Sequence, residues 1–416
     1  MNILHISNTD LMGGRFNGYA MQQSLEKSHN VEMAVWNKES QNSHVHLMPP
    51  ANRLLRFFVL NIIRLSSRLG LDGLTESGGW ALPTIDYFKR ADVVHLHMIH
   101  NHPNLSLLTL PMLSRKKPIV WTIHDPWAMT GGCVHSFECD RWLTGCVPRC
   151  PHPRYRSLFQ HYMPYLHWRI KKLVYQRADM TLIVASQWMH DRIKRSPLLR
   201  HIPCRCIPFG IDLEVFKPRS KIECRKKLGV MEDHKVIAFR DVGLESDQFK
   251  GMRYLMDALK NYAPQVPTTL LIFEDGKGFK VLSPKYSVIT PGWIDGKDVA
   301  VALSAADVFV MPSIQEAFGM MAVESMACGT PVITFDGTSL PEVIKAPLGG
   351  LVVPTKDSAA LAGAIHKLLK DDELRDRLGK QARQIAEQEY SFTFYIEQHV
   401  NLYEAVIERH KRSYQL

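Results

Sequence analysis

The chain has 416 residues, 45% hydrophobic and 22% charged, with 51 Lys plus Arg against 41 Asp plus Glu and a formal net charge of +10. This composition fits an ordinary globular protein of two or three domains, and no apolar run reaches the length needed to span a bilayer. The basic balance suits nucleic acid, an anionic membrane or a phosphorylated substrate; with no zinc finger, RNA-binding aromatic signature or basic zipper in the sequence, nucleic acid is not expected as a partner.

The opening MNILHISNTD has the pattern of a short buried strand, Asn2–Ile6, rather than of a signal peptide, so a cytoplasmic location is expected. A loop over 8–18 follows, holding the glycine pair Gly13-Gly14 with Arg15 and Asn17, and then a helix from about Tyr19. Further strands are predicted at 31–36, 91–97, 118–122 and 180–185. Strands alternating with helical patterns predict a parallel, doubly wound sheet. Between the first strands, Asn52–Gly70 spaces Arg53, Arg56, Arg64 and Arg68 among apolar residues. That is a basic amphipathic helix, suited either to an anionic membrane or to packing on the core with its arginines snorkelling. A second basic stretch, Arg154–Arg177, is rich in aromatic residues.

The segment Ile207–Pro218, with two prolines and a glycine, reads as a linker. A second α/β series follows, with strands at 235–240, 269–273, 286–290, 307–311 and 331–335 and helices at 357–370, 372–390 and 391–412. The expected division is an N-terminal Rossmann-like domain over 1–206 with a Cys-rich insertion at 133–150, a C-terminal Rossmann-like domain over 207–390, and a last helix, 391–416, returning to the first domain.

Candidate chemistry gathers at predicted strand ends. Glu316 and Glu324, separated by seven residues in PSIQEAFGMMAVESMACGTP, follow the strand at 307–311 and enter a helix that Gly329 ends. Carboxylates beyond the carboxyl end of a parallel strand, beside a helix N-terminus, suit a ligand with hydroxyls to bind and an anion to hold. Lys250-Gly251 opens another helical pattern, and Arg240 lies at the end of the strand before it. The alternative for Arg240 is a salt bridge to Asp241 or Glu245. His124 and Asp125 follow the strand at 118–122 in WTIHDPWAMTG; a hydrogen-bonded loop histidine is the alternative reading of His124. His95, His97, His100 and His102 cluster near another strand end, and alternating strand histidines are expected to point to opposite faces, against a metal. Cys133, Cys139, Cys146 and Cys150 fall within eighteen residues. Four thiolates suit tetrahedral zinc, although only the last pair approaches the tight spacing of a structural site. Structural zinc and buried or redox-labile thiols stand as the two readings.

The stretch 312–331 resembles the Glu-x7-Glu signature of the retaining glycosyltransferases of family 4, and 207–218 resembles that family's interdomain segment. The His-Asp-x-Trp segment is similar to one in bacterial colanic acid and surface polysaccharide enzymes. The resemblance implies a GT-B fold, two Rossmann-like domains facing a central cleft. It implies that Glu316 contacts the donor sugar, Glu324 the nucleotide ribose, and His124 the donor sugar or the acceptor. Lys250 and Arg240 are expected on the diphosphate, although the family's Gly-Arg is here Gly243-Leu244. Gly14, Asp125, Ala317, Phe318 and Gly319 complete the expected donor site. The implied activity is metal-independent hexosyl transfer from a nucleotide diphosphate sugar to a lipid-linked or oligosaccharide acceptor in surface polysaccharide synthesis, at the inner face of the cytoplasmic membrane. No cofactor is expected for the chemistry. A nucleotide-sugar epimerase and a non-enzymatic basic binding protein are the alternatives; the lack of a Gly-x-Gly-x-x-Gly fingerprint after the first strand argues against a dehydrogenase.

Overall fold

A computed structural model describes the chain except residues 51, 69–72, 75, 101–104, 137, 149, 151–157, 242, 244–246, 263, 275, 293, 295 and 415–416. The described residues form two compact units. One comprises 1–185, 189–207 and 396–416; the other comprises 186–188 and 208–395.

The first unit is built on a seven-stranded parallel sheet. Its strands are β1 (Asn2–Thr9), β2 (Asn30–Asn37), β3 (Val45–Leu47), β4 (Val93–Leu96), β5 (Ile119–Thr122), β6 (Met180–Val184) and β7 (Cys204–Cys206), in spatial order β3-β2-β1-β4-β5-β6-β7. The central strands β1, β4, β5 and β6 are buried along almost their whole length because both faces are covered, and His5 on β1 and His95 on β4 are buried with the apolar residues. The helices used below are α1 (Tyr19–Leu25), α2 (Arg53–Arg68) and α3 (Leu158–Tyr175). The short edge strands β3 and β7 were not expected: Val-His-Leu and Cys-Arg-Cys carry too little apolar pattern to announce a strand.

The second unit holds a six-stranded parallel sheet of β8 (Lys235–Asp241), β9 (Thr268–Glu274), β10 (Ser287–Gly292), β11 (Val308–Met311), β12 (Val332–Phe335) and β13 (Gly350–Val353), in spatial order β10-β9-β8-β11-β12-β13. Here β13 is the strand without a sequence expectation. The helices are α4 (Met252–Asn261), α5 (Met320–Ala327), α6 (Ser358–Lys370) and α7 (Asp372–Glu389). Phe239, Leu255, Leu270, Ile272, Val310, Ile333, Leu361 and Ile365 are among the fully buried core side chains. The final helix, α8 (Phe392–Tyr414), starts in this unit, and its residues from Ile396 onward belong to the first. There Tyr403 is buried, its hydroxyl 2.6 Å from His95 Nδ1.

In each sheet the strand order reverses once, between β1 and β4 in the first and between β8 and β11 in the second. Chains leave in opposite directions at such a point and open a crevice beyond the strand ends, where α/β proteins bind ligands.

Candidate active site

In the second unit the predicted residues fall at that reversal. Arg240 is the penultimate residue of β8, and Lys250 ends a one-turn helix, Asp247–Lys250. Glu316 lies in the loop after β11. The backbone brings the last two together: the N–H groups of Ile314 and Gln315 both donate to the Phe249 carbonyl, at 2.8 and 3.1 Å. Lys250 Nζ then lies 2.8 Å from Glu316 Oε2, and both side chains are partly buried. Gly251 makes this approach possible. Its φ is +70°, and a Cβ there would stand 2.1 Å from the Pro312 carbonyl oxygen.

The loop continues through Ala317 and Phe318 to Gly319, which caps α5 at φ +97°. A Cβ at Gly319 would lie 2.3 Å from Leu340 Cδ2. Ser339 Oγ donates to the carbonyls of Glu316 and Phe318, at 3.1 and 3.3 Å, and fixes the loop's path. Glu324 is in the second turn of α5, 1% exposed. Arg240 forms an ion pair with Glu274, the last residue of β9, and its Nη1 lies 3.8 Å from Met321 Sδ. This corrects the sequence alternative, which weighed Asp241 and Glu245 as its partner: β9 is the neighbour of β8 in the sheet, so their carboxyl ends lie side by side. Glu245 and Leu244 fall outside the described residues. An acidic residue closing the apolar strand TLLIFE was the signal available for Glu274.

In the first unit, Gly13 and Gly14 form the turn after β1, with Gly14 N–H donating to the Leu11 carbonyl at 3.0 Å. His124 and Asp125 follow β5. Asp125 accepts from Trp127 N–H at 2.8 Å, and His100 Nε2 lies 2.9 Å from its other oxygen. Burial alone would raise the Asp125 carboxyl, but His100, the Trp127 N–H and His124 together hold it below its usual range. Burial pushes the His124 imidazole down to about 4, against the opposing pull of Asp125, so near neutral pH it offers hydrogen bonds rather than charge.

Beneath this loop is a cluster that the sequence reading missed in part. His5 on β1 pairs in register with His95 on β4. His5 Nδ1 is 2.8 Å from His97 Nε2, and the rings of His95 and His97 are 4.0 Å apart. His95 and His97 therefore share a face, which overturns the expectation that they point apart; residues two apart on a strand lie on the same side. The ligand atoms of His5, His95 and His97 lie within 4.8 Å of one another. Both His95 nitrogens are already engaged, with Tyr403 Oη and with Thr122 Oγ1 at 2.7 Å, which argues for a packed core cluster over a metal site. His102 lies outside the described residues.

Cys133, Cys139, Cys146 and Cys150 form no disulfide and line one small pocket with Thr130, Trp142 and Pro164. Behind it, Lys171 on α3 is buried, its ammonium donating to the carbonyls of Trp127 and Thr130 at 2.5 and 3.0 Å.

Comparison with known proteins decides the family. The model "Glycosyltransferase Family 4" matches residues 38–215, and "Glycosyl transferases group 1" matches residues 222–385. A phosphatidyl-myo-inositol mannosyltransferase of Mycobacterium leprae is 31% identical over 321 residues, covering 76% of this chain and 74% of the relative. The chain belongs to the family 4 glycosyltransferases. Among solved structures, sucrose-phosphate synthase from Thermosynechococcus elongatus superposes with a TM-score of 0.68 at 21% identity, covering 98% of this chain and 99% of that one. An Anabaena HepE structure in complex with UDP-glucose gives 0.65 at 17% identity, covering 97% and 99%. These likenesses establish the GT-B fold for the family 4 chain. The chain spans about half the length of other curated relatives it matches, 52% and 46% of two of them. Among the described residues, no helix is long and apolar enough to cross a membrane.

Proposed function

We propose that this family 4 protein is a retaining hexosyltransferase that moves a sugar from a nucleotide diphosphate sugar to a lipid-linked glycan during synthesis of a bacterial surface polysaccharide. The observation that carries the donor half is the Lys250–Glu316 pair at the reversal of the second sheet, with Arg240–Glu274 beside it. Two cations wait there on two carboxylates. A diphosphate bearing several negative charges competes for those cations, and its oxygens are suited to charge-assisted bonds from both. As the bond from the anomeric carbon to the phosphate oxygen breaks, charge grows on the leaving diphosphate. Positive groups already fixed in place stabilise that charge without reorganising. Glu316, released from Lys250, would accept from sugar hydroxyls, Glu324 would hold the ribose, and Ala317–Gly319 would complete the site in this unit. His124, held neutral, would hydrogen-bond a hydroxyl of donor or acceptor. Retention is what the family implies. The UDP-glucose bound by the Anabaena protein supports a nucleotide-sugar donor.

The lipid half rests on α2. Its inner face is anchored by Arg56, which stacks over Trp36 at 3.8 Å and donates to the Met48 and Pro50 carbonyls. Its outer face leaves Leu54, Leu55, Phe57, Phe58, Ile62 and Leu65 more than half exposed, beside the exposed Arg53 and Arg64, and the helix holds no acidic residue. Apolar side chains flanked by arginines suit an anionic bilayer surface. The name of the Mycobacterium leprae relative, a transferase to a phosphatidylinositol, is consistent with a lipid acceptor.

The test is incubation of the purified chain with labelled nucleotide sugars and a bacterial lipid extract. Transfer to lipid with the anomeric configuration kept supports the proposal. Conversion of the donor without an acceptor would favour the epimerase, for which the matched relatives give no support. No binding of any nucleotide sugar would refute it.

A further inference from the structure

The described residues of the Cys-rich segment between β5 and α3 have little regular structure, yet several are held by specific contacts. Gly131 N–H donates to Cys146 Sγ at 3.2 Å, and Cys146 adopts φ +46° after Gly145 at +126°. Cys150 is tied to α3 from both sides of its peptide: its N–H donates to the His161 carbonyl at 3.0 Å, and its carbonyl lies 2.5 Å from His161 Nδ1. Gly131 presses on α3 so closely that a Cβ would stand 2.1 Å from the Pro164 carbonyl oxygen. The result is that sulfurs from four points along eighteen residues face one pocket of about 20 Å³, room for a single small ion.

We propose that Cys133, Cys139, Cys146 and Cys150 bind one structural zinc ion, which fastens this segment and braces the His124–Asp125 loop. Thiolates in fours satisfy tetrahedral zinc, and at Zn–S bonds of about 2.3 Å the sulfurs stand nearly 4 Å apart. Among the described residues, the set of three ligand atoms within 4.8 Å is the histidine trio, so zinc binding requires the four thiols to draw closer together than they stand here. Binding releases the four thiol protons to solvent and leaves a ZnS4 centre of charge −2. A backbone N–H already pointing at Cys146 Sγ and the buried Lys171 ammonium behind the pocket offset that charge. Lys171 also carries the brace onward. By gripping the carbonyls of Trp127 and Thr130 it joins the cysteine pocket to the turn that presents His124 and Asp125. This inference rests on the pocket alone and stands whether or not the donor reading does.

The experiment is elemental analysis of the full chain purified without chelator, followed by exchange with cobalt. About one zinc per chain is expected, and the cobalt form should show the strong visible absorption of a tetrahedral thiolate centre. Cys146→Ser and Cys150→Ser should each lower the metal content at least tenfold, while Cys204→Ser and Cys206→Ser, outside the pocket, should leave it unchanged. Should the serine variants fail to fold, the native protein decides. Folded chain with under a tenth of an equivalent of zinc, which takes up neither zinc nor cobalt, overturns the proposal, as do disulfides among these four cysteines found by mass spectrometry.

Discussion

Acid should destabilise the first unit specifically, because its core holds histidines that burial keeps neutral. Burial, with the neighbouring His399, pushes His5 down to about 3, and burial pushes His124 down to about 4, from an ordinary value of 6.5. His95 and His97 move the same way, again chiefly by burial. The unfolded chain therefore binds more protons than the folded one between about pH 3 and pH 6.5. Stability is fully present above pH 6.5 and is lost as the pH falls below it. One pH unit below 6.5, a histidine held neutral costs about 1.4 kcal/mol. At pH 5.5 His5 and His124 together cost up to about 3 kcal/mol, and His95 and His97 add to that. In a unit of this size, 1 kcal/mol moves the midpoint by about 2–4 °C, so acidifying from pH 7.5 to 5.5 should lower it by about 6–12 °C. Tryptophan fluorescence during heating reports on this unit, since Trp36, Trp80, Trp121, Trp127, Trp142 and Trp168 are six of the eight tryptophans and all belong to it. His5→Asn should flatten the pH dependence by about 1.4 kcal/mol per pH unit. A midpoint that holds steady from pH 7.5 to 5.5 would refute the neutral cluster.

Lys250→Ala should lower kcat/KM by about 10²–10³, the cost of removing one group aimed at developing charge, and Lys250→Arg should recover part of it; steady-state kinetics at saturating acceptor reads both. Arg240→Ala should also lower turnover, and an unchanged donor KM and kcat would clear Arg240 of the role. Gly251→Ala should destabilise the second unit by more than about 1 kcal/mol, because φ +70° and the Pro312 carbonyl leave no room for a methyl group; chemical denaturation measures it. Replacing Phe57 and Phe58 with Glu should abolish flotation with anionic vesicles and leave the melting midpoint within about 1 °C, since surface changes on exposed positions cost little.

What could be read in the sequence, and what could not, follows from the range of the interactions. The glycine at 319, the strand before it and the helix after it are local facts, fixed by a left-handed φ and by apolar runs, so the elements carrying Glu316 and Glu324 were legible. So was α2, whose expected span 52–70 became Arg53–Arg68. The pairing of Lys250 with Glu316 was not. The two stand 66 residues apart, and their meeting depends on one carbonyl, Phe249, accepting two N–H groups from the loop after β11. Glu274 was hidden for the same reason: its neighbour is set by sheet order, which no local pattern encodes. The histidines show where a local rule was misapplied. By the strand's period of two, L-H-I on β1 and H-L-H leaving β4 place three rings on one face, and the parallel pairing of His5 with His95 then packs them together, His5 stacked on His97. That stack lies directly under Gly18, whose missing side chain is required by it: a Cβ would stand 2.5 Å from His97 Nε2. The loop carrying Gly13 and Gly14 is thus seated on the histidine cluster. Histidines that the sequence set on opposite faces are therefore gathered into the floor on which the first unit's glycine loop rests.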